Sequence, residues 1–236
     1  MKLVYLVSGL LLLALLAPAS DVHGRAIITK RLSKRSLSPI VYNLRGTTTP
    51  LAAPDTEPVN EFDRMVVILE AAKNDPAKDA RKDSRRLPPI PPVTEKLNQQ
   101  DARFQPDVIV VPVGSTVEFP NLDPIFHNVF SLSKAQPFDL GYYPEGHSRN
   151  VKFNNPGVVQ VYCHIHANMY AAIVVTDSPW FQKPAPDGSF SFSNVPPGRY
   201  RLIAWHKVAG LHKVDVQVPE TGSVDATIRV PVDTER

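Results

Sequence analysis

Along most of the chain, apolar residues come in short runs or alternate with polar ones, a pattern typical of β-strands. Residues 108–113 are an apolar run, Gly114 and Ser115 form a turn, and residues 116–119 read as the returning strand. Residues 158–162 and 171–176 are two further strand-like runs on either side of a short polar loop. With Pro 24 and Gly 11 supplying turns, and no long amphipathic helical pattern, the sequence predicts an all-β protein of Greek-key β-sandwich type.

The same pattern divides the chain into segments. Residues 1–19 read as a signal peptide, 20–38 as a basic flexible N-terminus, and 39–72 as two short strands. Residues 73–99 read as a charged and proline-rich linker, 100–176 as one sandwich domain and 177–236 as a second, smaller one.

The first segment predicts export. Lys2 precedes an apolar run that ends at Ala17-Pro18-Ala19, which indicates cleavage after Ala19. The alternative is a membrane anchor, but the run is shorter than the ~20 residues of a spanning helix. We therefore expect a periplasmic or secreted protein with no stable membrane span.

The candidate chemistry lies in the loop between the runs 158–162 and 171–176. Cys163, His166 and Met169 follow one another at intervals of three, and His127 lies upstream after another strand-like run. A thiolate, two imidazoles and a thioether are the ligands of a trigonal His₂Cys copper site with a weak axial methionine. Zinc is chemically possible, although a zinc site would more often recruit a second thiolate or a carboxylate.

His164 also lies in this loop, but we expect it to lie outside the site. Alternating residues of an extended segment point to opposite faces, so His164 and His166 should not share an ion. The chain has no other His-x-His pair, which argues against a catalytic multicopper centre.

The motif Cys163-x-x-His166-x-x-Met169, with His127-Asn128-Val129 upstream, resembles the cupredoxins, the small blue copper proteins. Its short loop is similar to those of amicyanins and pseudoazurins, and residues 100–176 resemble plastocyanin-like, methylamine-utilisation-like periplasmic proteins of bacteria. The resemblance implies one type 1 copper, with Asn128 hydrogen-bonded to the ligand loop. It also implies electron exchange with redox protein partners through His166. Phe126, Tyr142 and Tyr143 are candidates for an apolar rim near the metal.

A second resemblance covers residues 185–205. Phe190 and Phe192 alternate after the turn Asp187-Gly188, and Pro196-Pro197-Gly198 leads into the next strand. This segment resembles the carboxypeptidase regulatory-like or transthyretin-like sandwich, which is grouped with carbohydrate-binding-like folds. That family has two strands before the Asp-Gly turn. Residues 39–72 could supply them, which would make this sandwich discontinuous; the alternative is two consecutive domains.

These patterns predict an electron carrier and not an enzyme. We find no acid/base pair, nucleophile elbow or phosphate loop, and four protein ligands leave a copper ion no open position for substrate. The alternative is a copper-carrying or sensing module whose second sandwich binds carbohydrate or a protein. A net charge of only +3 gives no support for nucleic-acid binding.

Overall fold

A computed structural model describes residues 19–29, 60–72 and 90–230, and these are almost entirely β-structure. The prediction of an all-β sandwich fold is confirmed. In the described ranges, no helix is long and apolar enough to cross a membrane. The predicted signal peptide, apart from Ala19, and the predicted strand near residue 40 lie outside these ranges.

The strands are numbered in chain order. They are β1 Ser20–Ile28, β2 Met65–Ala71, β3 Thr94–Lys96, β4 Asn98–Gln100, β5 Arg103–Gln105, β6 Val108–Pro112, β7 Thr116–Pro120, β8 His127–Ser131, β9 Phe138–Tyr143, β10 Ser148–Lys152, β11 Gly157–Tyr162, β12 Tyr170–Thr176, β13 Phe181–Gln182, β14 Ser189–Val195, β15 Gly198–His206, β16 Gly210–Val218 and β17 Gly222–Val230. A 3-10 turn at Glu61–Arg64 leads into β2.

Strands β3 to β12 form what we call the central sandwich. One sheet has the order β10-β7-β3 and the other the order β6-β12-β11-β8-β9. The two enclose an apolar core that includes Val117, Phe119, Val161 and Ile173, all fully buried. Strands β11 and β12 are an antiparallel pair that ends at Tyr162 and Tyr170. The loop with the candidate ligands therefore lies at one end of this sandwich.

The predicted linker over residues 73–99 is wrong at its C-terminal end. Residues 94–96 pair with β7, Leu97 is fully buried in the core, and Gln99 is fully buried in β4. Every side chain of the strand at 94–96 is exposed. Its sequence therefore has no alternation of apolar and polar residues that could distinguish it from a linker. The central sandwich begins before residue 100.

The remaining strands form what we call the split sandwich. Its sheets have the orders β14-β1-β17 and β13-β2-β15-β16, and Met65, Leu69, Phe192 and Ile228 contribute to its core. Strands β1 and β2 precede the central sandwich in the chain, and all of their strand partners follow it.

The predicted flexible N-terminus over residues 20–38 is wrong for residues 20–28, which form β1. Val22 and Ala26 are buried between the sheets, and Gly24 lies under the Phe190 ring. Three inward positions of β1 carry the small residues Ser20, Gly24 and Ala26, and two outward positions carry the charged residues Asp21 and Arg25. The segment therefore reads as polar although it alternates like a strand. Residues 30–38 lie outside the described ranges.

The two sandwiches share a third apolar cluster. The split sandwich contributes residues of β2 and β15 and the central sandwich residues of β6 and β12: Val66, Ile68, Ile203, Trp205, Val108, Ala172 and Val174. Beside it, the Asp107 carboxylate lies 3.0 Å from Arg64 Nε and 2.8 Å from Lys207 Nζ. The two sandwiches therefore contact each other through an apolar patch flanked by ion pairs.

Candidate metal centre

Two loops at one end of the central sandwich bring three predicted ligands together. His127 is the first residue of β8, Cys163 directly follows β11, and His166 lies in the loop between β11 and β12. Their ligand atoms lie within 4.8 Å of one another. His127 Nδ1 and His166 Nδ1 are 3.0 Å apart, and Cys163 Sγ lies 3.9 Å from the first and 3.7 Å from the second.

These separations suit a single small metal ion. A thiolate sulfur binds such an ion at about 2.3 Å and an imidazole nitrogen at about 2.0 Å, which puts sulfur and nitrogen about 3.7 Å apart at trigonal angles. The two observed sulfur–nitrogen distances agree with that value. The shorter 3.0 Å between the nitrogens corresponds to an angle of about 100° at the ion. The residues therefore fit a trigonal His₂Cys site, and this ligand set is the one that copper prefers.

The ligand loop is held by its own backbone. Cys163 N–H donates to Met169 O at 3.3 Å, and Met169 N–H donates to His166 O at 3.0 Å. Met169 is fully buried and belongs to the same core cluster as Cys163. The role of its sulfur as an axial ligand stays a prediction.

Asp123 is a functional residue that the sequence reasoning missed. Its Oδ2 lies 2.7 Å from Nε2 of His127, and both side chains are almost completely buried. The backbone amides of Asp101 and Ala102 donate to its two carboxylate oxygens at 2.7 and 2.9 Å. Asp123 lies between Asn121 and Pro124, in a segment whose residue types are typical of a turn. The only sequence signal for its role is its position four residues before a candidate ligand.

This contact selects the tautomer of His127. With its proton on Nε2 and donated to Asp123, the ring presents the lone pair of Nδ1 to Cys163 and His166. A carboxylate that fixes a ligand histidine in this way also raises its basicity toward a metal.

Asn128 hydrogen-bonds to the ligand loop and to β9. Its backbone N–H donates to Cys163 Sγ at 3.5 Å, and its Oδ1 accepts the His164 N–H at 3.4 Å. Its Nδ2 donates to Asp139 at 2.7 Å. The side chain thus ties β8 to the ligand loop and to β9.

His164 lies outside the ligand cluster. Its ring stacks on Phe130 with centroids 3.8 Å apart, and its Nε2 lies 3.5 Å from an Asp139 carboxylate oxygen. His206, by contrast, is buried in the split sandwich, where its Nε2 lies 3.2 Å from Glu61 O.

The electrostatics favour a thiolate at the centre. Burial opposes the charged form of Cys163, but the His127 ring and the backbone amides of Asn128, Ile165 and His166 outweigh it and lower the pKa of the thiol. Burial likewise opposes a charge on His127, yet Cys163 and Asp123 raise the pKa of its ring. Burial and the neighbouring His127 lower the pKa of His166. The shifts of Cys163 and His166 favour the thiolate and the neutral imidazole that bind metal, whereas a metal ion has to compete with a proton for the ring of His127.

The two loops of the site expose large apolar side chains. His166 is half-buried, the loop before His127 exposes Leu122, Ile125 and Phe126, and the ligand loop exposes Ile165. Of the predicted rim, Phe126 is 57% exposed and Tyr142 is 49% exposed. Tyr143 instead lies in the core, where its hydroxyl donates to Phe119 O.

Comparison with known proteins finds likeness in structure only. The chain matches no protein-family model and no curated protein. Part of it is similar to a copper-containing nitrite reductase from Thermus scotoductus SA-01, at 30% identity and a TM-score of 0.33, over 38% of this chain and 23% of that one. The chain thus spans less than a quarter of that enzyme.

Two smaller proteins are covered more fully. A mutant of amicyanin in the Cu(I) state matches at 17% identity and a TM-score of 0.34, over 35% of this chain and 82% of its own. A purple cupredoxin from Nitrosopumilus maritimus matches at 22% identity and a TM-score of 0.32, over 35% of this chain and 99% of its own. These likenesses involve about a third of the chain.

Proposed function

We propose that the protein binds one copper ion at a type 1 site and carries single electrons between redox proteins. The proposed ligands are His127, Cys163, His166 and Met169. The observation that carries the proposal is the convergence of two imidazole nitrogens and one buried sulfur at the separations of a trigonal site. Copper bound there would supply one-electron chemistry between Cu(I) and Cu(II).

The chain's own residues hold the site in one shape. Asp123 fixes the His127 ring, the Asn128 amide donates to Cys163, and two backbone bonds close the ligand loop. Because these contacts come from a packed sandwich, the ligands should move little when the charge of the ion changes. Small rearrangement is what fast electron exchange requires. With four protein ligands, no open position remains for a substrate.

We further propose that electrons pass through the His166 face. Its imidazole is the less buried of the two, and the apolar residues Ile125, Phe126 and Ile165 lie exposed in the loops around it. Such a patch lets a redox protein approach closely without the cost of desolvating charges. The apolar leader at residues 1–19 supports work in the periplasm or outside the cell.

The test is the visible and EPR spectrum of the purified protein with Cu(II). We expect an intense thiolate-to-copper band and a narrow copper hyperfine splitting. Cys163→Ser should abolish the band, and His166→Asn should shift or abolish it. His164→Asn is the matched control, since His164 lies next to Cys163 but outside the ligand cluster, and it should keep the band.

Two results would contradict the proposal. A wild-type protein that stays colourless with Cu(II), or prefers zinc, would mean that the site is not type 1. An unchanged band in Cys163→Ser would mean that the sulfur ligand is wrongly assigned.

A further inference from the structure

Lys207 joins the two sandwiches at the base of the ligand loop. It lies in the turn between β15 and β16, and its Nζ donates to Tyr170 O at 2.8 Å and to Asp107 Oδ2 at 2.8 Å. The same Nζ lies 4.5 Å from the centroid of the Tyr170 ring. The side chain is only 11% exposed, so a residue of the split sandwich is buried against the central one.

Tyr170 is the residue that closes the ligand loop. It directly follows Met169, and it pairs with Tyr162, which directly precedes Cys163. The two tyrosine rings stack with centroids 5.2 Å apart and planes 17° from parallel. The Tyr162–Tyr170 pair therefore joins the two ends of the loop 163–169, and we call it the base of the loop.

The turn that carries Lys207 is itself fixed. Nδ1 of the buried His206 accepts the backbone N–H groups of Val208 and Ala209 at 3.1 and 3.2 Å. The Lys207 N–H donates to Arg64 O at 3.0 Å. The backbone that carries the Lys207 side chain is therefore held in place, and its ammonium makes charge-assisted hydrogen bonds, which are stronger than neutral ones.

We propose that Lys207 is a positioning residue for the metal centre, through which the split sandwich holds the base of the ligand loop. This inference rests on the proposed function for its effect on copper. Lys207 fixes the carbonyl and the ring of Tyr170, and Tyr170 is one peptide bond from Met169 and stacked beside the residue that precedes Cys163. The split sandwich is then a structural part of the copper site and not an independent appendage.

The experiment compares Lys207→Met with the wild-type protein loaded with Cu(II). We expect copper affinity to fall about 10-fold, the lower end of the effect of losing a residue that supports a metal ligand. The charge-transfer band should shift. Lys207→Arg, which keeps the donor and the charge, should restore part of the affinity.

Lys213→Met is the matched control. Lys213 is exposed on β16 of the same sandwich, so the variant loses the same charge without touching Tyr170. It should behave as the wild type. Spectra and affinities of Lys207→Met that equal those of Lys213→Met would overturn the inference.

A metal-free measurement separates this inference from the proposed function. In the apo-protein, the amides of residues 163–172 should exchange with deuterium about 10-fold faster in Lys207→Met, as expected for the loss of one charge-assisted hydrogen bond. If exchange is faster in Lys207→Met but the wild type shows no blue band, the positioning role of Lys207 is supported and the type 1 assignment fails. If exchange is unchanged, the positioning role fails whatever the spectrum shows.

Discussion

At the scale of single residues, a buried carboxylate supports one of the candidate ligands. Asp123 is buried, yet its pKa is lowered: burial would raise it, and the amides of Ala102 and Asp101 together with the His127 ring outweigh that effect. These contacts favour the charged form of the Asp123 carboxylate, which lies against Nε2 of the candidate ligand His127. Its pull keeps the imidazole proton on Nε2 and leaves Nδ1 for the metal.

Asp123→Ala should therefore weaken copper binding by about 10- to 100-fold. The His127 ring loses the acceptor that fixes its tautomer and orientation. The measurement is competition with a copper chelator of known affinity. Asp123→Asn keeps the shape of the side chain but not its charge, so it should lie between alanine and wild type.

Asp225→Ala removes the same charge from an exposed position of β17 and should bind copper like the wild type. Equal affinity of Asp123→Ala and wild type would show that the carboxylate does not support the ligand.

The sequence predicted most of the candidate ligands from one local motif, and it predicted His127 mainly from the resemblance that the motif carries. Cys163, His166 and Met169 lie in one loop, and a single cysteine draws attention. The residues that hold the ligands in place are far from them in the sequence or depend on contacts with distant segments. Asp123 is held by amides of residues 101 and 102, and Lys207 reaches Tyr170 from the other sandwich. No spacing rule connects such positions, so only the fold reveals them.

At the scale of elements, β1 is a strand that is hard to recognise in the sequence, because an inward position carries glycine instead of a large apolar residue. Gly24 sits opposite Phe190 of β14 and Ala226 of β17, and a Cβ there would collide with the Phe190 ring and the Ala226 carbonyl. The large Phe190 side chain fills the space that the glycine leaves. The apolar side chain that fills this part of the core thus comes from β14, although β1 is the strand it covers. The residues of β1 alone therefore suggest that the strand is more exposed than it is.

Gly24→Val should destabilise the protein by about 1–3 kcal/mol, because the added side chain overpacks the split-sandwich core. Thermal or denaturant unfolding of the purified protein measures this loss. His23→Val places the same side chain on the exposed face of the same strand, and it should change the stability by no more than about 0.5 kcal/mol. Equal stabilities of the two variants would contradict the packing of β1.

At the scale of the whole molecule, the two sandwiches are joined by an apolar surface. Ile68 and Ile203 of the split sandwich pack on Val108 and Val174 of the central one, and all four are buried. Burial of this kind couples the unfolding of two domains, since separating them exposes apolar surface on both. We therefore expect the described part of the chain to unfold as one cooperative unit.

Ile68→Ala should cost about 2–5 kcal/mol and weaken that coupling. Calorimetry should show one transition in the wild type and two resolved transitions in the variant. Leu211→Ala, at an apolar position that is 50% exposed on β16, should leave a single transition. A single unchanged transition in Ile68→Ala would mean that the shared cluster does not connect the sandwiches.

The interrupted order of the strands also has a consequence for synthesis. Translation makes β1 and β2 first and their partners β13, β14, β15 and β17 last, with the whole central sandwich between them. During that interval β1 and β2 have exposed, unsatisfied edges, which are the usual starting points of aggregation. Strand β13 follows the last strand of the central sandwich closely in the chain and pairs with β2. Once the central sandwich has formed, the segment between β2 and β13 therefore no longer has to be closed as a loose loop. The order of folding should thus run from the middle of the chain outward.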